Sequence, residues 1–417
     1  MSGARVTVPR PPVALYVHIP FCVSLCPYCD FVVYAGSAAR GPKARIAAFV
    51  EGLLAEIRLR ADAADARFGP PASAVRPPLE TVYLGGGTPT LLPAESIAAI
   101  LGAVRDRFGI ADGAEVTIES NPGADERGDA RALVAAGVNR LSLGAQSFDE
   151  RELARLGRRH STRDVAEAVA AARSAGIGSV SLDLLYDVPG QTEASWAATL
   201  DAALAVGPGH LSAYALTLDD PDAEGLTGPT GDHLPTRAGA RRWREAAIPE
   251  QDDDRAAAQY GHAVERLGAA GFRGYEISNW ARPGHESRHN LVYWRRLPHE
   301  AVGPGAHAFD GAVRRWNAAR LDGYLAALAP AAGRAPGVPP GGSEPVEPDT
   351  EAAEAVILGL RLDTGLAVAD AQIGPLAPHL AWATEAGLLE PAPGPEARIR
   401  LSTRGRLLSN ELFGRLV

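Results

Sequence analysis

Short runs of β-branched, aromatic and other apolar residues alternate with longer amphipathic segments between residues 14 and 218. Each short run is followed by a cluster of Gly, Pro, Ser or Asn, the residues that favour turns. The predicted strands cover residues 14–19, 81–84, 115–118, 140–143, 179–184 and 211–216. Six strand–helix units in succession predict a parallel sheet with helices packed against it.

The segment between the first two predicted strands has a clear helical pattern. Its apolar residues recur at steps of three and four: Ile46, Phe49, Val50, Leu53, Leu54 and Ile57. That spacing places them on one face of a helix, which we expect to pack against the sheet. Similar apolar faces are predicted over residues 97–104, 165–172 and 196–204.

Polar and reactive residues occur at or just beyond the ends of most predicted strands. They fall at 18–29, 85–88, 119–121, Gln146 and Asp183. A doubly wound sheet would gather such residues at one switch point, whereas a barrel collects them around its mouth from many strands. The chain is therefore predicted to have an α/β fold, built on a partial (β/α)6 TIM-like barrel.

Composition along the chain suggests how the remainder is divided. We expect an N-terminal tail over 1–13, the partial barrel over 14–218, an irregular excursion over 219–255, an aromatic-rich extension over 256–330, a Pro/Gly linker over 331–349 and a small winged-helix-like module over 350–417. The excursion and the linker are predicted from their density of Pro, Gly and Asp. The module is predicted from a helix, helix, hairpin, helix pattern.

The overall composition narrows the class of protein. A chain of 417 residues that is 46% hydrophobic and 22% charged is typical of a soluble globular protein. It contains no run of 18 apolar residues and no N-terminal signal-peptide pattern, so we expect no transmembrane helix and a cytoplasmic location. A net charge of −9 argues against a nucleic-acid binder.

All three cysteines fall within eight positions, with the spacing C-x3-C-x2-C at Cys22, Cys26 and Cys29. An odd, clustered set excludes a disulfide framework and indicates metal or redox chemistry. Three thiolates on one loop could hold three corners of a 4Fe–4S cluster and leave one iron open to a small molecule. The alternative is a structural zinc site with His18 as fourth ligand. We favour the cluster, because the distant second cysteine pair of most zinc sites is absent.

This cysteine motif, placed after the first strand of six β/α units, resembles the radical S-adenosylmethionine (SAM) superfamily. The segments YVHIPFC, GGGTP and IESNP resemble its oxygen-independent coproporphyrinogen III oxidase branch. The resemblance covers roughly residues 14–330. It implies a 4Fe–4S cluster on the three cysteines, with S-adenosylmethionine chelating the open iron through its amino and carboxylate groups.

The same resemblance implies a set of S-adenosylmethionine contacts. They are Tyr16, Tyr28, Gly86, Gly87, Thr88, Glu119, Gln146, Arg158 and Asp183. The glycines would let the backbone approach the methionine amino group, Glu119 would bind the ribose hydroxyls, and Arg158 would clamp a carboxylate. Some of these residues also have a structural alternative: core aromatics for the tyrosines, a tight turn for the glycines, an ordinary exposed polar side chain for Arg158 and a capping or hydrogen-bond network role for Asp183.

Two groups within this branch have to be distinguished. The coproporphyrinogen III dehydrogenases carry a fourth cysteine two residues beyond the third, where this chain has Phe31, and they have a longer N-terminal arm. The heme chaperones carry the pattern H-N-x-x-Y-W. This chain matches it with His289, Asn290, Tyr293 and Trp294.

The H-N-x-x-Y-W match implies heme contacts, with His289 as an axial ligand and flat aromatic rings over the macrocycle. The alternative is that Tyr293 and Trp294 belong to the core and that His289 is satisfied by a hydrogen bond. His285 and His289 are four residues apart, but Pro283 and Gly284 argue against a helix that would pair them as metal ligands.

The favoured hypothesis is a heme chaperone that binds heme, a 4Fe–4S cluster and S-adenosylmethionine and delivers heme to apo-heme proteins. Its cluster would need an electron donor, and productive cleavage of S-adenosylmethionine stays open. One alternative is a radical coproporphyrinogen III dehydrogenase, and another is a zinc-stabilised regulatory module. For the C-terminal module a lid or partner-docking role is favoured over DNA binding, because its basic field is small.

Overall fold

The parallel strands predicted from the sequence lie side by side in a computed structural model that describes residues 8–39, 45–218, 225–329, 335–371, 374–394 and 396–416. The strands are β1 Ala14–Ile19, β2 Phe21–Cys22, β3 Tyr34–Ala35, β4 Leu79–Gly86, β5 Ile110–Ser120, β6 Arg140–Gln146, β7 Ser179–Tyr186, β8 His210–Ala215, β9 Arg273–Gly274, β10 Asn279–Ala281, β11 His299–Val302, β12 His307–Phe309, β13 Val313–Asn317, β14 Gly341–Pro345, β15 Leu366–Ala367, β16 Leu389–Pro391 and β17 Arg398–Leu401. The helices are α1 Ile46–Phe68, α2 Ala94–Phe108, α3 Ala130–Ala136, α4 Glu150–Arg155, α5 Thr162–Ala175, α6 Glu193–Ala205, α7 Ala238–Ala247, α8 Asp253–Ala269, α9 Arg288–Trp294, α10 Leu321–Leu328, α11 Pro348–Arg361, α12 Val368–Ala371, α13 Ala377–Glu385, α14 Thr403–Leu407 and α15 Ser409–Phe413.

The main sheet has the order β14-β13-β12-β11-β1-β4-β5-β6-β7-β8-β10-β9 among the described residues. Strands β1, β4, β5, β6, β7 and β8 are the six predicted ones, and each pairs with the next in parallel. A seventh parallel strand, β11, lies on the outer side of β1. The α/β fold and its mainly parallel β/α core are thus confirmed, and antiparallel strands extend the sheet at both edges.

The helices bury the faces that their sequence patterns predict. On α1, Phe49, Leu53 and Ile57 are fully buried in the core. Helix α5 begins with a capping box, in which Ser161 accepts a hydrogen bond from the backbone of Asp164 and the Asp164 side chain accepts one in return. The four residues of its predicted face, 165–172, are buried, so apolar burial and capping agree on where this helix lies.

The predicted Pro/Gly linker is wrong over its second half, because strand β14 at 341–345 pairs with β13 and α11 begins at Pro348. A Cβ at Gly341 would overlap the carbonyl oxygen of Trp316, so this glycine permits close strand approach and does not signal flexibility. The predicted excursion likewise contains α7, and α8 crosses its boundary at 255. The parts of these segments at 219–224 and 330–334 lie outside the described residues.

The two ends of the chain attach differently to the sheet. Within the predicted N-terminal tail, the backbone N–H of Arg10 donates to the carbonyl of Asp310 at 2.8 Å; residues 1–7 lie outside the description. The C-terminal module contains α11 to α15 around the antiparallel sheet β15-β17-β16, with its own small core. Among the described residues, no helix has the length and apolar character needed to span a bilayer.

Candidate cofactor and heme site

A cavity of about 710 Å³ lies in the interior of the β/α core. Fourteen of the predicted site residues line it: Tyr16, Cys22, Cys26, Tyr28, Cys29, Gly86, Gly87, Glu119, Gln146, Arg158, Asp183, His289, Asn290 and Tyr293. Thr88 and Trp294 do not. The residues reach one space because alternate side chains of each strand face inward. In β7, for example, Ser181 and Asp183 line the cavity, whereas Leu182 packs in the core.

The cysteine loop is tied to the end of β4 by backbone hydrogen bonds. The Gly87 N–H donates to the carbonyl of Ile19 at 2.9 Å, and the Thr88 N–H donates to that of Phe21 at 2.7 Å. The Thr88 hydroxyl also donates to the sulfur of Cys22 at 3.6 Å. Thr88 therefore contacts the first cysteine directly, although it does not line the cavity.

The glycines at the end of β4 are required by packing against this loop. Gly86 has φ +111°, and a Cβ there would lie 2.5 Å from the His18 ring. A Cβ at Gly87 would lie 2.6 Å from the carbonyl oxygen of Phe21. These glycines were predicted to allow close approach of the methionine amino group. In the structure they are also needed without any ligand, because a side chain at either position would overlap the cysteine loop or His18.

The donor set around the cysteines fits an iron–sulfur cluster. Burial raises the pKa of Cys22 to about 11 and that of Cys29 to about 12, so a bound metal would have to displace their protons. The Tyr28 hydroxyl and the Nε of Arg158 are buried without a hydrogen-bond partner within the described ranges, and both residues line the cavity. The described side chains include no preformed three-ligand metal site, so the fit depends on the donor types and their common loop.

Arg158 is held beside the cysteines by an asparagine that the sequence analysis did not select individually. One guanidinium nitrogen lies 3.5 Å from the sulfur of Cys26, and another donates to Oδ1 of Asn121 at 2.6 Å. The amide of Asn121 in turn donates to the Thr88 hydroxyl at 3.0 Å and to Glu126 at 2.6 Å. Its place in the IESNP segment was the available signal.

Glu119 already has a partner on each carboxylate oxygen. Tyr83 donates its hydroxyl to Oε1 at 2.7 Å, and the Gly86 N–H donates to Oε2 at 2.9 Å. Burial, with a smaller contribution from nearby Asp183, raises the pKa of Glu119 to about 7. The protein thus supplies one partner to each oxygen of the carboxylate, which can accept further hydrogen bonds, and the ribose contact stays a prediction.

Gln146 and Asp183 lie on the neighbouring strands β6 and β7, where the first has an unusual backbone conformation and the second a hydrogen-bonded side chain. Gln146 has φ +64°, uncommon for a residue with a side chain, and follows an irregularity in the β6–β7 register. Asp183 accepts hydrogen bonds from the Ser142 hydroxyl at 3.1 and 3.3 Å, and burial raises its pKa. A strained backbone directed at a cavity is a common feature of binding sites.

His18 is not arranged as a metal ligand. Its Nε2 donates to the carbonyl of Val32 at 2.8 Å, and its Nδ1 accepts from the Tyr16 hydroxyl at 3.0 Å. Burial lowers its pKa to about 4, which keeps the ring neutral. Both ring nitrogens are thus occupied, and the zinc alternative loses its proposed fourth ligand.

The H-N-x-x-Y-W residues lie on α9, at the opposite end of the cavity from the cysteines. Ser287 caps the N-terminus of the helix, and the N–H groups of Arg288 and His289 donate to the Glu115 carboxylate, each at 3.0 Å. His289 contacts Thr81 near the start of β4, whereas Gly86 at its end faces the cysteine loop. Five residues of strand separate these positions by roughly 16 Å.

His289 is buried with both ring nitrogens in hydrogen bonds. Nδ1 lies 2.8 Å from the Thr81 hydroxyl and Nε2 lies 2.8 Å from the Tyr293 hydroxyl, while the ring stacks on Tyr83. Burial lowers its pKa to about 3. Iron ligation by His289 stays a prediction, and it would require the Tyr293 hydroxyl to give up this bond. His285 precedes α9, so the two histidines do not share a helix.

Trp294, which was predicted to cover the heme macrocycle, does not line the main cavity, and its heme contact stays a prediction. Its ring lies under the guanidinium of Arg361, 4.5 Å from the ring centroid, at the junction with the C-terminal module. Trp294 is the last residue of α9 and lies one turn beyond the cavity-lining Asn290. Asn290 and Tyr293 do face the cavity.

Several cavity residues were missed because each is unremarkable in sequence. They are Tyr83, Thr117, Arg140, Ser142, Ser181, His210, Ser212 and Tyr214. All lie on strands of the main sheet and point into the same space. Their signal was a polar residue at every second position of otherwise apolar strands, which predicts an inward-facing polar surface.

Comparison with known proteins identifies the family of the chain. The model of the Radical SAM superfamily matches residues 16–203. The chain is 37% identical to the heme chaperone HemW of Mycobacterium tuberculosis (strain ATCC 25618 / H37Rv) over 98% of this chain and 96% of that protein. It is 35% identical to HemW of Escherichia coli (strain K12) over 72% and 71% of the two chains.

A solved structure has the same fold. The coproporphyrinogen III oxidase HemN of Escherichia coli superposes with a TM-score of 0.76 at 23% identity, over 99% of this chain and 92% of that one. The fold and the cysteine loop define a radical SAM protein, a class that implies a 4Fe–4S cluster and S-adenosylmethionine. Within that class, the chain belongs to the HemW family.

Proposed function

We propose that this chain is a heme chaperone, which binds heme together with a 4Fe–4S cluster and S-adenosylmethionine and delivers the heme to apo-proteins. One observation carries the proposal: the cysteine loop and the α9 helix open onto a single cavity. Ligands bound at the two ends would therefore occupy the same cavity. Identity of 37% to a HemW over nearly the whole chain supports the same function.

The residues at the two ends would have different tasks. Cys22, Cys26 and Cys29 would hold the cluster, which when bound supplies one iron that the protein does not ligate. Arg158, positioned by Asn121, would neutralise a carboxylate beside that iron. Gln146, Glu119 and Asp183 would fix the polar parts of S-adenosylmethionine farther along the cavity.

The experiment is heme capture followed by heme transfer. Anaerobically reconstituted protein, with its iron and sulfide content measured, is titrated with heme, purified from excess and mixed with an apo-heme protein. A Soret band that forms on the chain and then moves to the recipient is the expected result. Reconstituted protein that gives no heme spectrum, or that retains its heme indefinitely, would refute the chaperone function.

Coproporphyrinogen III decarboxylation is the enzymatic alternative, and Phe31 argues against it. This residue stands where the dehydrogenases carry a fourth cysteine, and its side chain is exposed at the rim of the cavity. The same reconstituted protein, incubated with coproporphyrinogen III, S-adenosylmethionine and reductant, is expected to form no protoporphyrinogen. An electron donor to the cluster and a cytoplasmic location belong to the proposal.

A further inference from the structure

The first glycine of the GGGTP segment, Gly85, has a packing role of its own. A Cβ at Gly85 would lie 2.8 Å from the Tyr83 ring and 3.1 Å from the carboxylate of Glu119. An approach of 2.8 Å is closer than a Cβ can come unless its neighbour shifts. The missing side chain therefore leaves the space in which Tyr83 and Glu119 meet.

The two residues of this pair lie on neighbouring parallel strands and both line the main cavity. Tyr83 on β4 stands opposite Thr117 on β5, so Glu119 is two residues farther along β5 on the same face of the sheet. The Tyr83 hydroxyl reaches Oε1 of Glu119 at 2.7 Å, and a backbone N–H occupies the other oxygen. In the described part of the chain, no other side chain donates to this carboxylate.

Neighbouring rings hold Tyr83 in place. Its ring stacks on that of His289, with centroids 5.1 Å apart and planes inclined by 30°. Tyr16 packs on it with a centroid distance of 6.1 Å. Tyr16 does not serve as a second donor to Glu119, because its own hydroxyl donates to Nδ1 of His18. The Tyr83 hydroxyl is thus fixed where it can orient one oxygen of Glu119.

The electrostatic surroundings make this hydrogen bond important for the charge of Glu119. The titratable groups that act on it are Asp183 on β7, Tyr16 on β1, Tyr293 on α9 and Tyr83 itself, none of them a cation. Burial raises the pKa of Glu119 to about 7 and Asp183 raises it as well, whereas the hydrogen bond from Tyr83 lowers it. The tyrosine hydroxyl therefore favours the ionised form of a carboxylate that has no ion-pair partner among the described residues.

The ionised form is the one that suits a ribose. Its two oxygens act only as acceptors, whereas a protonated carboxyl must place its own hydrogen. Hydrogen bonds from hydroxyl groups to an ionised carboxylate are also stronger than those to a neutral carboxyl. A carboxylate whose charge and orientation are both maintained by the protein is therefore a better partner for two neighbouring hydroxyl groups.

We propose that Tyr83 is a positioning residue for S-adenosylmethionine: its hydroxyl orients Glu119 and keeps it ionised, so that the carboxylate accepts hydrogen bonds from the ribose hydroxyls. Gly85 belongs to the same arrangement, because it makes room for the pair. The inference rests on the part of the proposed function that assigns Glu119 to S-adenosylmethionine, and it adds a residue that acts through Glu119 without requiring contact with the ligand.

The experiment compares Tyr83→Phe, which keeps the stacked ring and removes the hydroxyl, with wild type. Equilibrium dialysis gives the affinity for S-adenosylmethionine from pH 6 to pH 9, without heme, on anaerobically reconstituted protein whose cluster is oxidised so that the ligand is not cleaved. Loss of one hydrogen bond to a charged group should raise the pKa of Glu119 by about one unit. The variant should then bind about fivefold more weakly than wild type at pH 7 and within about twofold of it at pH 9.

Two further variants separate this role from a structural one. Tyr324→Phe is the matched control: it removes a comparable buried hydrogen bond, from the Tyr324 hydroxyl to Glu56 at 2.8 Å, outside the main cavity, and should keep the wild-type pH profile. Glu119→Gln should respond less steeply to pH than wild type; the amino group of the ligand titrates in this range and affects all variants equally.

A wild-type profile in Tyr83→Phe, a loss of affinity that is the same at every pH, or an unchanged profile in Glu119→Gln would each overturn the inference. None of these outcomes bears on heme capture and transfer, which are measured separately and decide the proposed function.

Discussion

His289 should make the stability of the fold sensitive to mild acid. Its ring is buried and both nitrogens are engaged, so the folded protein holds it neutral, with a pKa lowered from 6.5 to about 3. Below pH 6.5 the unfolded chain binds a proton that the folded chain does not, so stability falls as the pH falls. Between pH 7 and pH 5 this linkage amounts to about 2 kcal/mol.

The perturbation is His289→Phe, which removes the titrating group but keeps an aromatic ring beside Tyr83. Loss of the hydrogen bonds to Thr81 and Tyr293 should destabilise the variant at both pH values, by about 1–3 kcal/mol. Its additional loss between pH 7 and pH 5 should be about 2 kcal/mol smaller than that of wild type. Thr81→Val is the control, because it removes one hydrogen bond and leaves the imidazole in place.

The assay is anaerobic urea denaturation of reconstituted protein at pH 7 and pH 5, with cluster content matched between samples. The free energy of unfolding is extrapolated for wild type, His289→Phe and Thr81→Val, and the pH increments are compared. Other buried histidines titrate in the same range and contribute equally to wild type and variants. The change in unfolding free energy between pH 7 and pH 5 is therefore compared between wild type and each variant. An unchanged increment in His289→Phe would refute the assignment of acid sensitivity to this ring.

Three further predictions concern the cysteine end of the cavity. Cys26→Ala should abolish cluster assembly, since two thiolates cannot retain the cluster, and iron and sulfide analysis would contradict this if both were retained. Gly86→Ala places a Cβ against His18 at a positive φ and should cost more than about 2 kcal/mol by thermal or urea denaturation. Gly102→Ala, in open space on α2, should instead stabilise by up to about 1 kcal/mol. Asn121→Ala should weaken S-adenosylmethionine binding about tenfold by equilibrium dialysis, because Arg158 loses the acceptor that orients it; unchanged affinity would exclude this role.

The core of the fold could be predicted from local patterns, because the buried face of each helix and strand there follows its own hydrophobic periodicity. The helix faces at 97–104 and 165–172 are buried as their periodicity indicates, and the six inner strands lie where apolar runs end in turn residues. The second half of the predicted linker was mispredicted because glycine has two physical uses. At Gly341 it admits a neighbouring strand, and no local pattern distinguishes that use from flexibility.

The candidate site was predictable where a motif is contiguous and unpredictable where partners come from distant segments. Three cysteines on one loop indicate metal or redox chemistry without information from any other segment. By contrast, Glu119 has a partner 36 residues away in Tyr83, and His289 has one 208 residues away in Thr81. Whether a buried polar group is satisfied depends on the register between strands, which composition does not encode.

Tyr28 and Arg158 at the cysteine end of the main cavity differ from His289 at the α9 end in whether their polar atoms already have partners, and this difference is informative about ligands. At the cysteine end, Tyr28 and Arg158 each leave a buried polar atom without a described partner, a cost of about 1–3 kcal/mol each that a bound ligand could offset. At the α9 end, both nitrogens of His289 are paired. A ligand at the first end gains interactions, whereas one at the second must first break them.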